Sequence, residues 1–257
     1  MSALVSDTWA LTTRWLIHLR RDSMTLIMGL FQPLMWLFLF GGIFGNFASK
    51  SPNLKESFGN VDYLTFYTSG VLALTTLTNA VLGGIPLVFD RENGFLDRVL
   101  SAPVSRLSIV LSRFIYVTLY SLFQTYVVLG VAVLVMGVRF DPAALVGIAV
   151  YSALLAAGLT ALSLALAFYA SHVAFFTLTG VFLTPVLFLS SAFVPLDRLD
   201  GVWRVVALLN PLTHAIDPMR AQMVGGTANH ALHATFLLGF DIACIVFSVA
   251  AIKRKLD

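Results

Sequence analysis

Few residues in this chain carry reactive chemistry, and most of them lack the neighbours that catalysis needs. The sequence holds no G-x-x-x-x-G-K-[ST] loop to cradle phosphates. It has no G-x-S-x-G or H-E-x-x-H element for acyl transfer or zinc-assisted hydrolysis. The histidines are His18, His172, His214, His230 and His233. His230 and His233 stand three positions apart, which puts two imidazoles on one helix face. A metal site normally takes three or four ligands. Neither a cysteine nor a carboxylate lies beside the pair, so a wet interfacial pair is the plainer reading and no metal site is expected. No nucleophile is accompanied by a base and an orienting group, so no catalytic residue is expected either. Cys244 is the sole cysteine, and an intrachain disulfide is excluded.

What remains is charge and its placement. Asp90-Arg91-Glu92-Asn93-Gly94-Phe95-Leu96-Asp97-Arg98-Val99-Leu100 is the densest charge cluster, followed by Ser101-Ala102-Pro103-Val104-Ser105-Arg106. Pro103 should end a short helix at or before Ala102, and Ser105 is placed to cap the next helix. On the short helix Phe95, Val99 and Leu100 form an apolar edge beside Arg91, Glu92, Asp97 and Arg98. Such an edge suits insertion into a groove of a cytoplasmic partner; a solvated interfacial loop is the alternative. A second charge, Asp241, lies within an apolar run, 12 positions before Lys253, or about 18 Å along a helix. It is expected to pair with Arg220 or another residue of the outer side, or to face a water-filled vestibule; proton coupling has no support.

Composition dictates which elements carry these residues. Of 257 residues 58% are hydrophobic and only 11% charged, with mean hydropathy +0.89 and net charge +3. A soluble domain carries about 25% charged residues, and one water-soluble core cannot hide such an apolar excess. Soluble enzyme, nucleic-acid binder and disordered chain are therefore excluded. The expected fold is an all-α polytopic membrane protein of a single domain, residues 1–257. A crossing helix needs about 20 apolar residues. The six expected spans are Met24–Phe44, Tyr63–Phe89, Ile109–Met136, Ala143–Tyr169, Ala174–Phe193 and Leu232–Ile252. Met1–Asp22 lacks the apolar core and cleavage site of a signal peptide, so the first span is expected to act as the insertion signal.

Six spans put both termini on one side. That side would hold Arg14, Arg20, Arg21, Arg91, Arg98, Arg106, Arg113, Lys253, Arg254 and Lys255, against Lys50, Lys55, Arg139, Arg198, Arg204 and Arg220 opposite. The positive-inside rule then makes the termini cytoplasmic. In Leu4–Leu19, Trp9, Leu11, Trp15, Leu16 and Leu19 alternate with Arg14 and His18, which suits a helix lying on the membrane lipids; a disordered tail is the alternative. Polar groups within spans are candidates for a transport path: Gln32, Thr75, Asn79 and Gln124, with an aromatic wall of Phe175, Phe176 and Phe182. Plain helix packing is the competing reading, above all for Thr75 and the phenylalanines.

These residues also resemble a known family. The run Arg91-Glu92-x-Gly94-Phe95-x-x-Arg98-Val99-Leu100-x-x-Pro103-Val104-Ser105 is similar to the cytoplasmic loop of ABC-2 type exporter permeases, the drug-resistance and nodulation-factor type in particular. Phe188–Leu196, then Leu209-Asn210-Pro211-Leu212-Thr213-His214 with Arg220 six positions later, resembles that family's signature. Arg21-Asp22, Gln32-Pro33-Leu34-Met35-Trp36-Leu37 and Gly41-Gly42 fit as well. Leu199-Asp200 departs from it where many relatives have Leu-Pro, which bears on the shape of the outer loop.

The resemblance implies a transmembrane subunit of an ABC transporter, not itself an enzyme, that works as a homodimer with two copies of a separate ABC ATPase subunit. ATP and magnesium would then belong to that partner, leaving this chain without a cofactor. It assigns a coupling-helix loop at 90–106 with Arg91, Glu92, Gly94, Phe95, Leu96 and Arg98. It assigns an interfacial connecting helix at 1–23 and an outer cap of re-entrant helices at 195–226, with Pro195, Asn210, Pro211, His214 and Arg220. Export by alternating access from the cell membrane follows, of a drug, a lipid or a lipo-oligosaccharide. Export of a polysaccharide or lipid-linked glycan is the alternative within the family, and an ATP-independent carrier or an intramembrane enzyme outside it.

Overall fold

In a bilayer every backbone polar group must be satisfied internally, so an apolar chain of this length must be helical. The computed structural model describes residues 2–49, 61–95, 98, 101 and 105–256, and these form helices and short connections without a strand. Helix α1 (Ser2–Arg21) is followed, after Asp22 alone, by α2 (Ser23–Trp36). A π-helical turn at Leu37–Gly41 joins α2 to α3 (Gly42–Ser49), a few residues beyond the helix-breaking Pro33. Then come α4 (Tyr63–Leu82) and α5 (Ile85–Glu92), α6 (Arg106–Met136), α7 (Ala144–Tyr169) and α8 (His172–Phe188). The outer segment holds a 3-10 turn at Leu196–Arg198, α9 (Gly201–Leu208) and α10 (Pro211–Met223), and α11 (His230–Leu256) closes the chain.

Among the described residues, five segments are long and apolar enough to cross a membrane: Met24–Phe47, Tyr63–Glu92, Leu107–Met136, Ala144–Tyr169 and His230–Ala250. They match five of the expected spans to within a few residues. The expected fifth span, Ala174–Phe193, differs. Helix α8 starts earlier and stops at Phe188, and its 17 residues reach only about 25 Å. The cause is local. Beyond Pro185 the chain turns, with Ser190 Oγ donating to the Leu187 carbonyl and the Ser191 amide donating to Thr213 Oγ1.

The bundle is built around α4 and α7. Every residue from Thr65 to Leu77 is buried, and α7 packs against α4, α6, α10 and α11. Leu72 and Leu77 of α4 meet a core that includes Ile148, Leu155 and Leu159 of α7. Small residues along α7, such as Ala156, Gly158 and Ala161, allow this close approach. Helices α2 and α11 instead turn Met28, Phe31, Ile242 and Phe247 outward, as lipid-facing helices do. Two buried hydroxyls of α4 donate within their own helix, Thr75 to the Val71 carbonyl and Thr68 to the Leu64 carbonyl.

The step from α4 to α5 positions the charged segment that follows. Gly83 and Gly84 break the helix. Ser163 Oγ of α7 fills the gap, accepting from the Gly84 amide at 2.8 Å and donating to the Val81 carbonyl at 2.6 Å. A Cβ at position 84 would stand 2.6 Å from the Ser163 carbonyl oxygen. Gly84→Ala should therefore lower stability by about 1–3 kcal/mol, read as an earlier thermal unfolding midpoint of the purified protein. An unchanged midpoint would show that this contact is loose.

Candidate functional site

The charge cluster begins as the last turn of α5, and three consecutive residues there point to three different elements. Asp90 Oδ2 accepts from Arg113 Nη2 of α6 at 3.0 Å. Arg91 reaches the end of α7, donating from Nη1 to the carbonyls of Ala167 (2.9 Å) and Phe168 (2.7 Å) and from Nη2 to the Ala170 carbonyl. Glu92 Oε1 accepts from the His172 amide at 3.0 Å, at the start of α8. A helix leaves its last carbonyls and first amides unsatisfied and carries partial negative and positive charge at those ends. Arg91 and Glu92 thus each meet the helix end of opposite sign. Ser171 Oγ accepts from the Ala174 amide, and the Phe89 ring lies 4.8 Å from His172. The α7–α8 turn is held on all sides by α5.

Asp90 extends the joint to the N-terminal helix. Arg113 is only 2% exposed, and its guanidinium lies 3.5 Å from the centroid of the Trp15 ring. Trp15, with Thr8 and Thr12, forms the buried stripe of α1 against α6. Arg14 lies over the Trp15 ring at 4.9 Å and over the Phe95 ring at 4.1 Å. The α1 helix expected over Leu4–Leu19 is therefore present, and its packed face joins the charged segment. Gly94 takes φ +66°, a conformation that favours glycine, and ends α5. Arg98 is exposed; Leu96, with Asp97, Val99, Leu100 and Pro103, lies outside the described residues. Ser105 occupies the N-cap position of α6 without a side-chain capping bond.

The polar candidates within spans fall into two groups. Asn79 Nδ2 donates to Gln124 Oε1 at 2.8 Å, and Gln124 Nε2 donates to Tyr120 Oη at 2.7 Å. Gln32 and Asn79 line one cleft of about 640 Å³ between α1, α2, α4, α5 and α6. Gln124 stands behind it, fully buried. Thr75 serves its own helix, as the packing reading anticipates. The aromatic wall is not continuous: Phe175 is fully buried against Leu87 and Leu164, while Phe176 and Phe182 face outward.

At the opposite end, Asn210 caps α10 through the Leu212 amide and donates to the carbonyls of Val186 and Leu189. Pro211 opens α10, and Pro195 precedes the 3-10 turn. Arg220 donates from Nε to Ser69 Oγ (3.0 Å), from Nη2 to the Ser191 carbonyl (2.7 Å) and from Nη1 to Asp217 (3.4 Å), over the Phe66 ring. The expected pairing of Asp241 with Arg220 does not occur, because Ser69 of α4, Ser191 after α8 and Asp217 of α10 itself each engage one nitrogen of Arg220. Asp241 packs at Gly158 of α7, and its Oδ1 is buried without a hydrogen bond among the described residues. His233 meets His214 at 3.1 Å, while His230 meets Tyr151. His214 Nε2 donates to the Leu208 carbonyl, so its Nδ1 accepts from His233 Nδ1 when both rings are neutral. No group of three metal-ligating side chains forms among the described residues.

The profile of the family described as ABC-2 type transporter matches residues 6–224. The chain belongs to the ABC-2 type transporter family. Over 223 residues it is 39% identical to a protein of Pyropia yezoensis that carries the name of a transport permease, ycf38, covering 85% of this chain and 74% of that one. It is 27% identical to nodulation protein J of Rhizobium meliloti (strain 1021), covering 100% and 97%. It is 26% identical to DrrC of Mycobacterium tuberculosis (strain ATCC 25618 / H37Rv), named as a doxorubicin resistance ABC transporter permease, covering 86% and 78%. With several apolar helices, this ABC-2 permease is a multi-pass membrane protein.

Sequence reasoning missed two partners in the permease's charged joint. Arg113 counts in the sequence only among the basic residues of the cytoplasmic side, although it lies within the expected third span and seven residues inside α6, where a cation demands a partner. Asp90, at the end of the preceding span, is the carboxylate that answers it.

Two outcomes follow. Arg91→Gln should loosen the α7–α8 turn by about 1.5–3 kcal/mol. Hydrogen exchange at the Ala170 and Phe175 amides should then quicken at least about tenfold; unchanged exchange would mean that the turn holds itself. Burial holds His214 below its ordinary value of 6.5, so the folded permease favours the neutral ring. That stability is full above pH about 6.5 and is lost as pH falls below it. The thermal midpoint should drop between pH 7 and pH 5, and His214→Asn should flatten that drop.

Proposed function

We propose that the permease is the membrane half of an ATP-driven exporter, a homodimer that binds two copies of a separate ABC ATPase subunit. Both termini and the Asp90–Arg106 loop face the cytoplasm, and the complex sits in the cell membrane. The ATPase supplies ATP and magnesium; this chain supplies the path and the lever. The observation that carries the reading is the joint at Asp90–Glu92. A force applied to the loop by a docked ATPase reaches α7 and α8 through Arg91 and Glu92, and α6 and α1 through Asp90. Arg91 and Glu92 act as positioning residues inside the permease, leaving Phe95, Leu96 and Arg98 to meet the ATPase. The two permease halves then rock between inward-open and outward-open states.

The cargo we infer is hydrophobic or amphiphilic. Two observations support this: the relative named for doxorubicin resistance, and a cleft that sets amide groups among apolar walls. The test is a vesicle assay with the permease and its ATPase reconstituted together. The pair should co-purify, and vanadate should block transport. Arg91→Ala with Glu92→Ala should cut transport at least about tenfold while ATP turnover persists, as expected for lost coupling worth about 1.4 kcal/mol or more. Transport at the unaltered rate in that variant, or a permease that transports without any ATPase, would overturn the reading.

A further inference from the structure

The cleft beneath α1 gives the export reading its amide groups and apolar walls, but that reading leaves the charged groups at its mouth unused. Its mouth carries Arg14, about two turns before the end of α1, and Asp22, just past that end. Its floor carries Gln32 and Asn79. Asp22 and Gln32 are separated by ten residues of helix, or about 15 Å, with apolar walls such as Met28 and Leu82 between. The nearby Asp90 is paired with Arg113, which leaves Arg14 and Asp22, beside the His18 imidazole, as the charged groups the mouth can offer a ligand.

Both charges have capacity left. Arg14 lies over two rings, contacts that use none of its five N–H donors as hydrogen bonds. It makes no hydrogen bond among the described residues. The Asp22 carboxylate is fixed by the amide and hydroxyl of Thr25, which lower its pKa, yet each oxygen still has a lone pair to offer. Gln32 likewise makes no hydrogen bond among the described residues and is exposed into the cleft.

We propose that this cleft holds one zwitterionic phospholipid per chain, its phosphate on Arg14, its amine against Asp22 and a chain running inward past Met28 toward Asn79. Opposite charges at the mouth match a head that carries both signs and disfavour a purely anionic head, which Asp22 would repel. An apolar wall about 15 Å long suits an acyl chain. Bound there, the lipid wedges α1 against α2 and α6 and becomes part of the joint that holds Trp15. The site goes beyond the export reading and is tested without ATPase or cargo, so its failure leaves that reading standing.

The experiment is native mass spectrometry of the delipidated full-length permease titrated with phosphatidylethanolamine, phosphatidylcholine and phosphatidylglycerol. One molecule of either zwitterionic lipid should bind per chain, at least about tenfold more tightly than phosphatidylglycerol, the ratio expected from one charge-assisted contact. Asp22→Asn should erase that preference. Thr78→Phe, which fills the cleft from α4, should weaken binding of all three lipids; Thr78→Val, close in size to threonine, should not. Tighter binding of phosphatidylglycerol to the unaltered protein would overturn the assignment to a zwitterionic head. Undiminished binding to a folded Thr78→Phe protein would overturn the site. Should Thr78→Phe fail to fold, undiminished preference in Asp22→Asn overturns it instead.

Discussion

The structure depends on one short run of charge at the end of a membrane helix. Asp90, Arg91 and Glu92 follow one another, and each reaches a different part of the fold. Consecutive residues on a helix point about 100° apart, so one turn can serve three neighbours at once. In a chain with 11% charged residues, each ion needs a specific partner, because an unpaired charge in an apolar setting is costly. Pairing Asp90 with Arg113 removes that cost and fixes how α5 lies on α6. Arg91 and Glu92 use no opposing side chain. They use the ends of two helices, which ties the position of α5 to the α7–α8 turn.

The outer end follows the same logic with different parts. Arg220 joins α10 to α4 and to the chain after α8, and Asn210 closes the truncated end of α8. Helix α8 is thus held at both ends by side chains from elsewhere, Glu92 at its start and Asn210 at its finish. The helix short of the usual spanning length is the one most governed by its neighbours. On the proposed export mechanism, it is the element through which movement of the charged loop would reach the outer segment.

Much of this was legible in the sequence. The apolar runs marked the long helices, and the charge cluster marked the loop. Asn210 and Pro211 stood in the outer-cap signature, and α10 starts there. What stayed hidden were partnerships. Arg91 and Glu92 look like surface charges offered to another protein, because their acceptors and donors are backbone groups at Ala167, Phe168, Ala170 and His172, which leave no mark in residue type. The early stop of α8 was hidden for a similar reason: Leu189–Phe193 is apolar enough to continue a span, and its turn is set by hydrogen bonds from Asn210 and Thr213. Asp241 invited pairing with Arg220 by charge alone, but nothing in the sequence revealed that Ser69, Ser191 and Asp217 already occupy that guanidinium.

The central claim is that α5 and the α7–α8 turn move as one body. It is tested most directly by spin-label distances in the reconstituted transporter, at rest and trapped with ATP. Asn93 and Val173 are both exposed and flank the joint. The account predicts that the Asn93–Val173 distance within a chain stays constant between the two states, while the distance from Asn93 to its copy in the second subunit changes. A change in the Asn93–Val173 distance as large as that between subunits would contradict it.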